Sequence, residues 1–285
     1  MRSWPLALAL ALPGTALAGY PDDITLSQLG SWDGEAVTDT ALISDAYGTV
    51  VKGMGVAIAN KAMMPAETLG LSGFELSFTN NATFIRAYDA DDPTAWQRTQ
   101  VDGDPTRVLW VPTLGVRKGL PLSLEVGASL GYLAFSRQSV ASGFGRWSII
   151  EGYRSKAPDV TVQVGYSRYM GNDELQIGVM DASINIGYTF GVSQLAGINH
   201  GTIAPFLGLG LDRIKASPRL SDAELATLGI DDLPCDASAN CVDGYTPFAM
   251  SLGLQVNSND AFARLGGAWS PGTLPTTSFS IGVSY

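Results

Sequence analysis

The chain closes with Thr277-Ser278-Phe279-Ser280-Ile281-Gly282-Val283-Ser284-Tyr285. Thr277, Phe279, Ile281, Val283 and Tyr285 share one parity, and Ser278, Ser280, Gly282 and Ser284 share the other. A period of two puts successive side chains on opposite faces of a strand, so one face here is oily and the other small and polar. The same two-faced pattern recurs upstream. Phe248, Met250, Leu252, Leu254 and Val256 alternate with Ala249, Ser251, Gly253, Gln255 and Asn257. Leu122, Leu124, Val126, Ala128, Leu130 and Tyr132 alternate with Ser123, Glu125, Gly127, Ser129 and Gly131, and Val160, Val162, Val164 and Tyr166 with Thr161, Gln163, Gly165 and Ser167. The pattern continues in 74–84, 107–117, 180–190 and 203–212 and, more loosely, in 143–153 and 261–269, about ten strands in all.

A soluble sandwich also alternates, and three features separate this chain from one. The segments run to about ten or eleven residues, the length that spans a bilayer at a tilt, against about five or six for an ordinary strand. The polar face is Gly, Ser, Ala, Gln and Asn instead of the Lys, Glu and Thr of a water-exposed sheet. Aromatic residues gather near strand ends, at Phe84, Trp110, Tyr132, Tyr166, Tyr188, Phe190, Phe248, Trp269 and Tyr285, as interfacial girdles require. Only a closed barrel satisfies the backbone of every strand in lipid. The expected fold is all-β: a transmembrane, antiparallel, up-and-down barrel of about ten strands, with twelve as the alternative.

The 285 residues are 15% charged and 46% apolar, with 33 glycines and a net charge of −10. Past the N-terminus no apolar run approaches the roughly 20 residues of a membrane helix, and the apolar fraction excludes a disordered chain. Seventeen basic against 27 acidic residues argue against a nucleic-acid partner. Residues 1–18 read as a cleaved secretory signal: Arg2, an apolar stretch from Pro5 to Leu12, and Ala16-Leu17-Ala18 before Gly19. Without Arg2 the balance is 16 basic against 27 acidic, or −11. Cys235 and Cys241, the two cysteines of an exported chain, suit one disulfide in an oxidising compartment, and two thiols without a neighbouring His are too few for a metal site.

A signal sequence, amphipathic strands of this length and a terminal Phe279-x-Ile281-x-Val283-x-Tyr285 resemble the Gram-negative outer-membrane β-barrels, over roughly residues 70–285. The resemblance is to an architecture and to no single functional family. It implies outer-membrane lipid and the barrel-assembly machinery as partners, with Phe279, Ile281, Val283 and Tyr285 as the assembly signal; Tyr285 stands where that class usually has Phe. It also implies that both barrel ends are periplasmic. Counting back from Tyr285 then puts turns at 257–260, 191–201, 154–158 and 118–121 in the periplasm. Loops at 270–275, 214–245, 170–175, 136–142 and 86–106 lie outside, and the two longest connections both fall there. The domain reading is 1–18 signal, 19–70 N-terminal segment and 71–285 barrel.

In the N-terminal segment Leu42, Ala46, Val50, Met54 and Ile58 recur every fourth residue, which favours a helix beginning near Thr38 or Asp39, with Gly48, Gly53 and Gly55 weakening its later turns. It is read as a helical or irregular plug, in the barrel or under its periplasmic mouth; the competing reading makes 40–47 and 50–60 a further hairpin. Met64-Pro65-Ala66 resembles, with Met in place of Asn, the Asn-Pro-Ala segment before the barrel of long-chain fatty-acid transporters. In the 214–245 loop, Ser221-Asp222-Ala223-Glu224 is a capping-box pattern, and a Cys235–Cys241 bridge would staple the chain behind that helix. Asp89, Asp91, Asp92, Asp102 and Asp104 make the 86–106 loop acidic without EF-hand spacing, so it reads as solvated.

His200 is the sole histidine, and outer-membrane lipid hydrolases, acyl transferases and omptin-type proteases use a His at the outer side. Here it falls in the periplasmic turn, beside Ser193 but without an organised triad. The chain is therefore read as a non-enzyme without cofactor or bound metal. The Gly-rich strand stretches lack the strand-to-helix setting and Lys of a phosphate loop, and suit curvature and close approach of a helix to the wall. Glu75, Arg117, Glu125, Arg146, Asp181, Asp212 and Arg264 all take inward parity, where an ionisable group escapes the roughly 2–4 kcal/mol cost of a basic residue at the lipid midplane. They form either a packed ion-pair network or the lining of a path. The function expected is a narrow pore or transporter for a small or lipophilic solute; the alternative is a structural or surface-interaction barrel with a sealed lumen and partner-binding outer loops.

Overall fold

The computed structural model describes residues 22–32, 35–37, 39–86, 94–100, 105–136, 138–152, 157–192, 201–228, 245–270 and 274–285. Ten long strands run antiparallel in sequence order: β1 Phe74–Phe84, β2 Val108–Leu120, β3 Leu124–Tyr132, β4 Ser139–Ile150, β5 Asp159–Met170, β6 Leu175–Gly187, β7 Gly201–Pro218, β8 Phe248–Ser258, β9 Ala261–Trp269 and β10 Thr276–Ser284. Each pairs with its neighbours in the chain, and β10 pairs with β1, so the sheet closes on itself as an up-and-down barrel. A three-residue strand, Phe190–Val192, extends the β7 edge at one end. Closure leaves no long unpaired edge, the condition for spanning hydrocarbon with strands.

The mouth carrying Phe74, Tyr285 and the short turns is called the lower mouth; the long connections leave from the upper one. Apolar residues of the alternation face outward, among them Leu76, Leu114, Leu130, Val164, Leu252 and Leu265, each at least half exposed. All nine expected girdle aromatics are also exposed on the outer surface. The expected strand set is present, with shifted ends. β4 begins at Ser139 and stops at Ile150, earlier than the 143–153 pattern, because Ser142, Gly143 and Gly145 blur its alternation. β6 covers 175–187 instead of 180–190, and β7 continues to Pro218, past the buried Asp212, because its pairing with β6 runs on to Leu175.

The N-terminal segment folds as a helix and not as a further hairpin. α1, Thr40–Ile58, starts where Asp39 accepts hydrogen bonds from the Ala41 and Leu42 amides at 3.0 and 3.4 Å. Ala46, Val50, Met54 and Ile58 are buried, whereas Leu42 at the same spacing is exposed. The glycines do not end the helix early. Gly53 lies under Trp96 of α2, Ala95–Arg98, and a Cβ on Gly55 would stand 2.6 Å from Ile214 of β7. Both positions trade helix propensity for close contact, Gly53 with α2 and Gly55 with the wall.

The segment enters from the mouth opposite to the one next to Phe74. Residues 22–30 lie among the upper connections: Asp22 accepts from Thr106 Oγ1 at 2.7 Å, Asn172 Nδ2 donates to the Ile24 carbonyl at 2.8 Å, and Ser27 donates to Glu174. From there α1 descends into the bore, and residues 59–73 continue to the lower mouth, where β1 begins. The segment therefore fills the barrel from end to end and is not tucked beneath it. The Ser221 capping box heads α3, Asp222–Thr227, as expected.

Candidate functional site in the bore

The inward residues sort by height. In the upper half Leu109 and Val111 of β2, Val140 of β4, Leu175, Ile177 and Val179 of β6 and Ile214 and Ala216 of β7 face α1. With Leu26, Leu29, Tyr47, Val50 and Met54 they form one apolar cluster inside the cylinder. The inward wall of a membrane barrel is polar by default; here it is oily because it faces a helix and not water.

The lower half is ionic. Glu75 and Arg117 are direct partners across β1 and β2, and Glu125 and Arg146 across β3 and β4. Arg117 forms a two-pronged pair with Glu75, through Nε at 2.9 Å and through Nη2, and reaches Glu125 Oε1 through Nη1 at 2.9 Å. Arg146 donates to the same Glu125 oxygen at 3.2 Å, and Arg264 donates to both Glu75 oxygens at 3.3 Å and to Gln255 at 2.7 Å. All five ionised side chains are buried. Burying ions costs several kcal/mol each unless pairing and hydrogen bonds compensate, and here each carboxylate faces two guanidinium groups.

The same level holds the irregular chain after α1. Gln163 Nε2 donates to the Asn60 carbonyl at 3.2 Å, Ser251 Oγ to Ala62 at 2.8 Å, Arg146 Nη2 to Pro65 at 2.5 Å and Thr161 Oγ1 to Ala66. The Leu69 amide donates to Glu125 Oε2 at 3.2 Å. Non-helical backbone at membrane depth survives only where protein satisfies its polar groups, and strand side chains do that here carbonyl by carbonyl. Lys61 folds back to donate to the Val56 and Ala57 carbonyls at the end of α1, where a cation complements the helix dipole.

All seven expected lumen residues thus face inward and are buried. Five of them form one network; Asp181 and Asp212 stand apart on the β6–β7 wall as direct partners. Gln163, Thr161, Ser251, Gln255 and Lys61 belong to the site but were not among the expected set, although inward parity at mid-strand marks the first four. Phe279 and Ile281 face outward with Tyr285, and Val283 is half-buried beside them. Cys235, Cys241, His200, Ser193 and the acidic-loop residues Asp89, Asp91, Asp92, Asp102 and Asp104 lie outside the described residues. Among the described residues no three His, Cys, Asp or Glu side chains gather as a metal-binding group.

No family model and no curated protein matches the chain. Solved Gram-negative outer-membrane barrels share its architecture. The translocator domain of the autotransporter NalP from Neisseria meningitidis is 15% identical with a TM-score of 0.32, covering 86% of this chain and 96% of its own. Omp33 of Acinetobacter baumannii is 9% identical with a TM-score of 0.29, over 75% and 98%. The attachment invasion locus protein Ail of Yersinia pestis is 12% identical with a TM-score of 0.26, over 75% and 99%. The likeness is one of architecture, and the reading of the bore rests on this chain's own geometry.

Proposed function

We propose that the protein is a non-enzymatic outer-membrane barrel whose lumen is sealed by its own N-terminal segment, and that it acts as a structural or surface-interaction element through its upper connections. In this reading the lower mouth faces the periplasm, the outward apolar band contacts outer-membrane lipid, and the β10 strand carries the signal for the barrel-assembly machinery. The observation that carries it is the filling of the bore: residues 40–73 run its whole height, packed above and hydrogen-bonded below. An interior about ten strands wide is little larger than one that side chains alone fill, so a helix within it leaves small room for a solute path. The test is planar-bilayer conductance of the purified full chain. Closed membranes across physiological voltages are expected; a steady ohmic conductance overturns the sealed reading. Outer-membrane fractionation with heat-modifiable gel migration tests the placement.

A second reading, a narrow pore for a small solute, is favoured by one feature. A cavity of about 110 Å³ lies beside the lower plug, lined in part by Ser77, Thr79, Ser129, Ser142, Ser278 and Ser280. That polar space could become a path if residues 59–69 moved. Removing two of the anchors together, Thr161→Val with Ser251→Ala, loosens that segment without touching the ionic network. Discrete opening events in the double variant, absent from the parent, support the pore; silence in both supports the seal.

A further inference from the structure

Midway down the bore, where its apolar half gives way to its ionic half, Asp181 of β6 and Asp212 of β7 stand directly opposite each other. They are 6% and 3% exposed. Two carboxylates in register repel, and removing either from water is costly without a compensating positive charge. The network on the other wall supplies two guanidinium groups to each carboxylate. This pair lacks such partners: among the described residues, both Asp181 oxygens and Asp212 Oδ2 have no hydrogen-bond partner. Lys61, whose charge acts on both, directs its ammonium to the carbonyls that end α1. One ammonium against two carboxylates leaves a local charge of −1.

A neutral oxygen accompanies the pair. Ser183 Oγ, two residues along β6 from Asp181 and on the same cavity wall, is unpartnered among the described residues. Gly165 makes room for this arrangement. A Cβ there would stand 2.6 Å from one Asp181 oxygen and 2.8 Å from the Asn60 amide nitrogen. A cavity of about 20 Å³ lies at the centre, lined among others by Asn60, Lys61, Asp181, Ser183 and Asp212. That is space for one water-sized particle.

We propose that the Asp181–Asp212 pair is a binding site for a single monovalent metal cation, with Ser183 Oγ as a neutral donor. The donor set is all oxygen, which suits a hard cation. The residual charge of −1 is balanced by one positive charge, whereas a divalent ion would leave an excess. Because Asn60 and Lys61 belong to the plug and both aspartates to the wall, the ion would tie the end of α1 to the barrel. This inference is independent of whether the bore conducts.

The experiment uses the full chain in detergent micelles, with thermal unfolding followed in choline, sodium and potassium chloride at equal ionic strength and pH. A midpoint that rises saturably with sodium is expected, since a ligand bound only to the folded state stabilises it in proportion to its occupancy. Asp181→Asn and Asp212→Asn are each expected to weaken the sodium response at least tenfold in concentration. Saturable broadening of the ²³Na resonance by the parent protein is the second measurement and holds even if a variant does not fold. Equal midpoints in sodium and choline, a sodium response that survives in both variants, or no ²³Na broadening each overturn the proposal. A midpoint that follows pH but neither sodium nor potassium assigns the site to a shared proton and overturns the proposal.

Discussion

The two halves of the bore receive the same polypeptide segment in opposite ways. Above, α1 satisfies its own backbone, so the wall around it needs to supply only shape, and it does so with Ile177, Val179, Leu109 and Ile214. Below, the chain after Ile58 has no helix to close its hydrogen bonds, and the wall becomes polar: Gln163, Ser251, Arg146 and Thr161 each take one carbonyl. The backbone conformation of the plug thus dictates the chemistry of the barrel wall at each height. A helix can be buried in oil, whereas an irregular strand requires donors.

That contrast is open to attack by mutation. Glu125→Ala should be the most damaging change. It leaves Arg146 with the Pro65 carbonyl alone and takes one of two carboxylates from Arg117, at a cost of about 3–5 kcal/mol in denaturant unfolding of the refolded barrel. If it costs under about 1 kcal/mol, the lower half is wetter than its geometry implies. Met54→Ala, which carves a void in the upper half, should cost about 2–4 kcal/mol and leave the plug in place, as read by the protease resistance of residues 59–73. Gly55→Leu sets a large side chain against Ile214 and should cost about 1–3 kcal/mol by the same unfolding measurement, in spite of its better helix propensity. Asp39→Ala, which removes the cap of α1, should cost about 1 kcal/mol. The smallest effect lies outside the bore, in the turn after β2, where Leu122 and Ser123 have φ of 63° and 60°. Leu122→Gly relieves a left-handed backbone and should stabilise by about 0.5–1 kcal/mol, with neither half of the bore altered.

Much of this was legible in the residues. The outward row Phe279, Ile281 and Tyr285, and its counterparts in β8 and β3, follow from parity alone, because a strand has only two faces and the apolar one turns away from the polar bore. The helix from Asp39 was legible for the same kind of reason, a spacing of four with a capping aspartate. The boundaries of β4 were not: Ser142, Gly143 and Gly145 carry no strong preference for either face. The inward placement of Glu75, Arg117 and Arg264 was readable, but their assembly into one network was not, since Glu75 and Arg264 lie 189 residues apart and meet only when β10 closes on β1.

Parity and hydropathy, which act between neighbours in the chain, were enough to point to a closed cylinder with an oily exterior and a polar inward set, and to favour a helix over a further hairpin ahead of it. Where that helix goes is a different matter. Entry from the upper mouth, the division of the bore into an apolar and an ionic half, and the separation of Asp181 and Asp212 from the arginine network depend on which strands stand opposite which plug residues. Those are contacts between distant parts of the chain, set by barrel closure and register, and no local pattern encodes them.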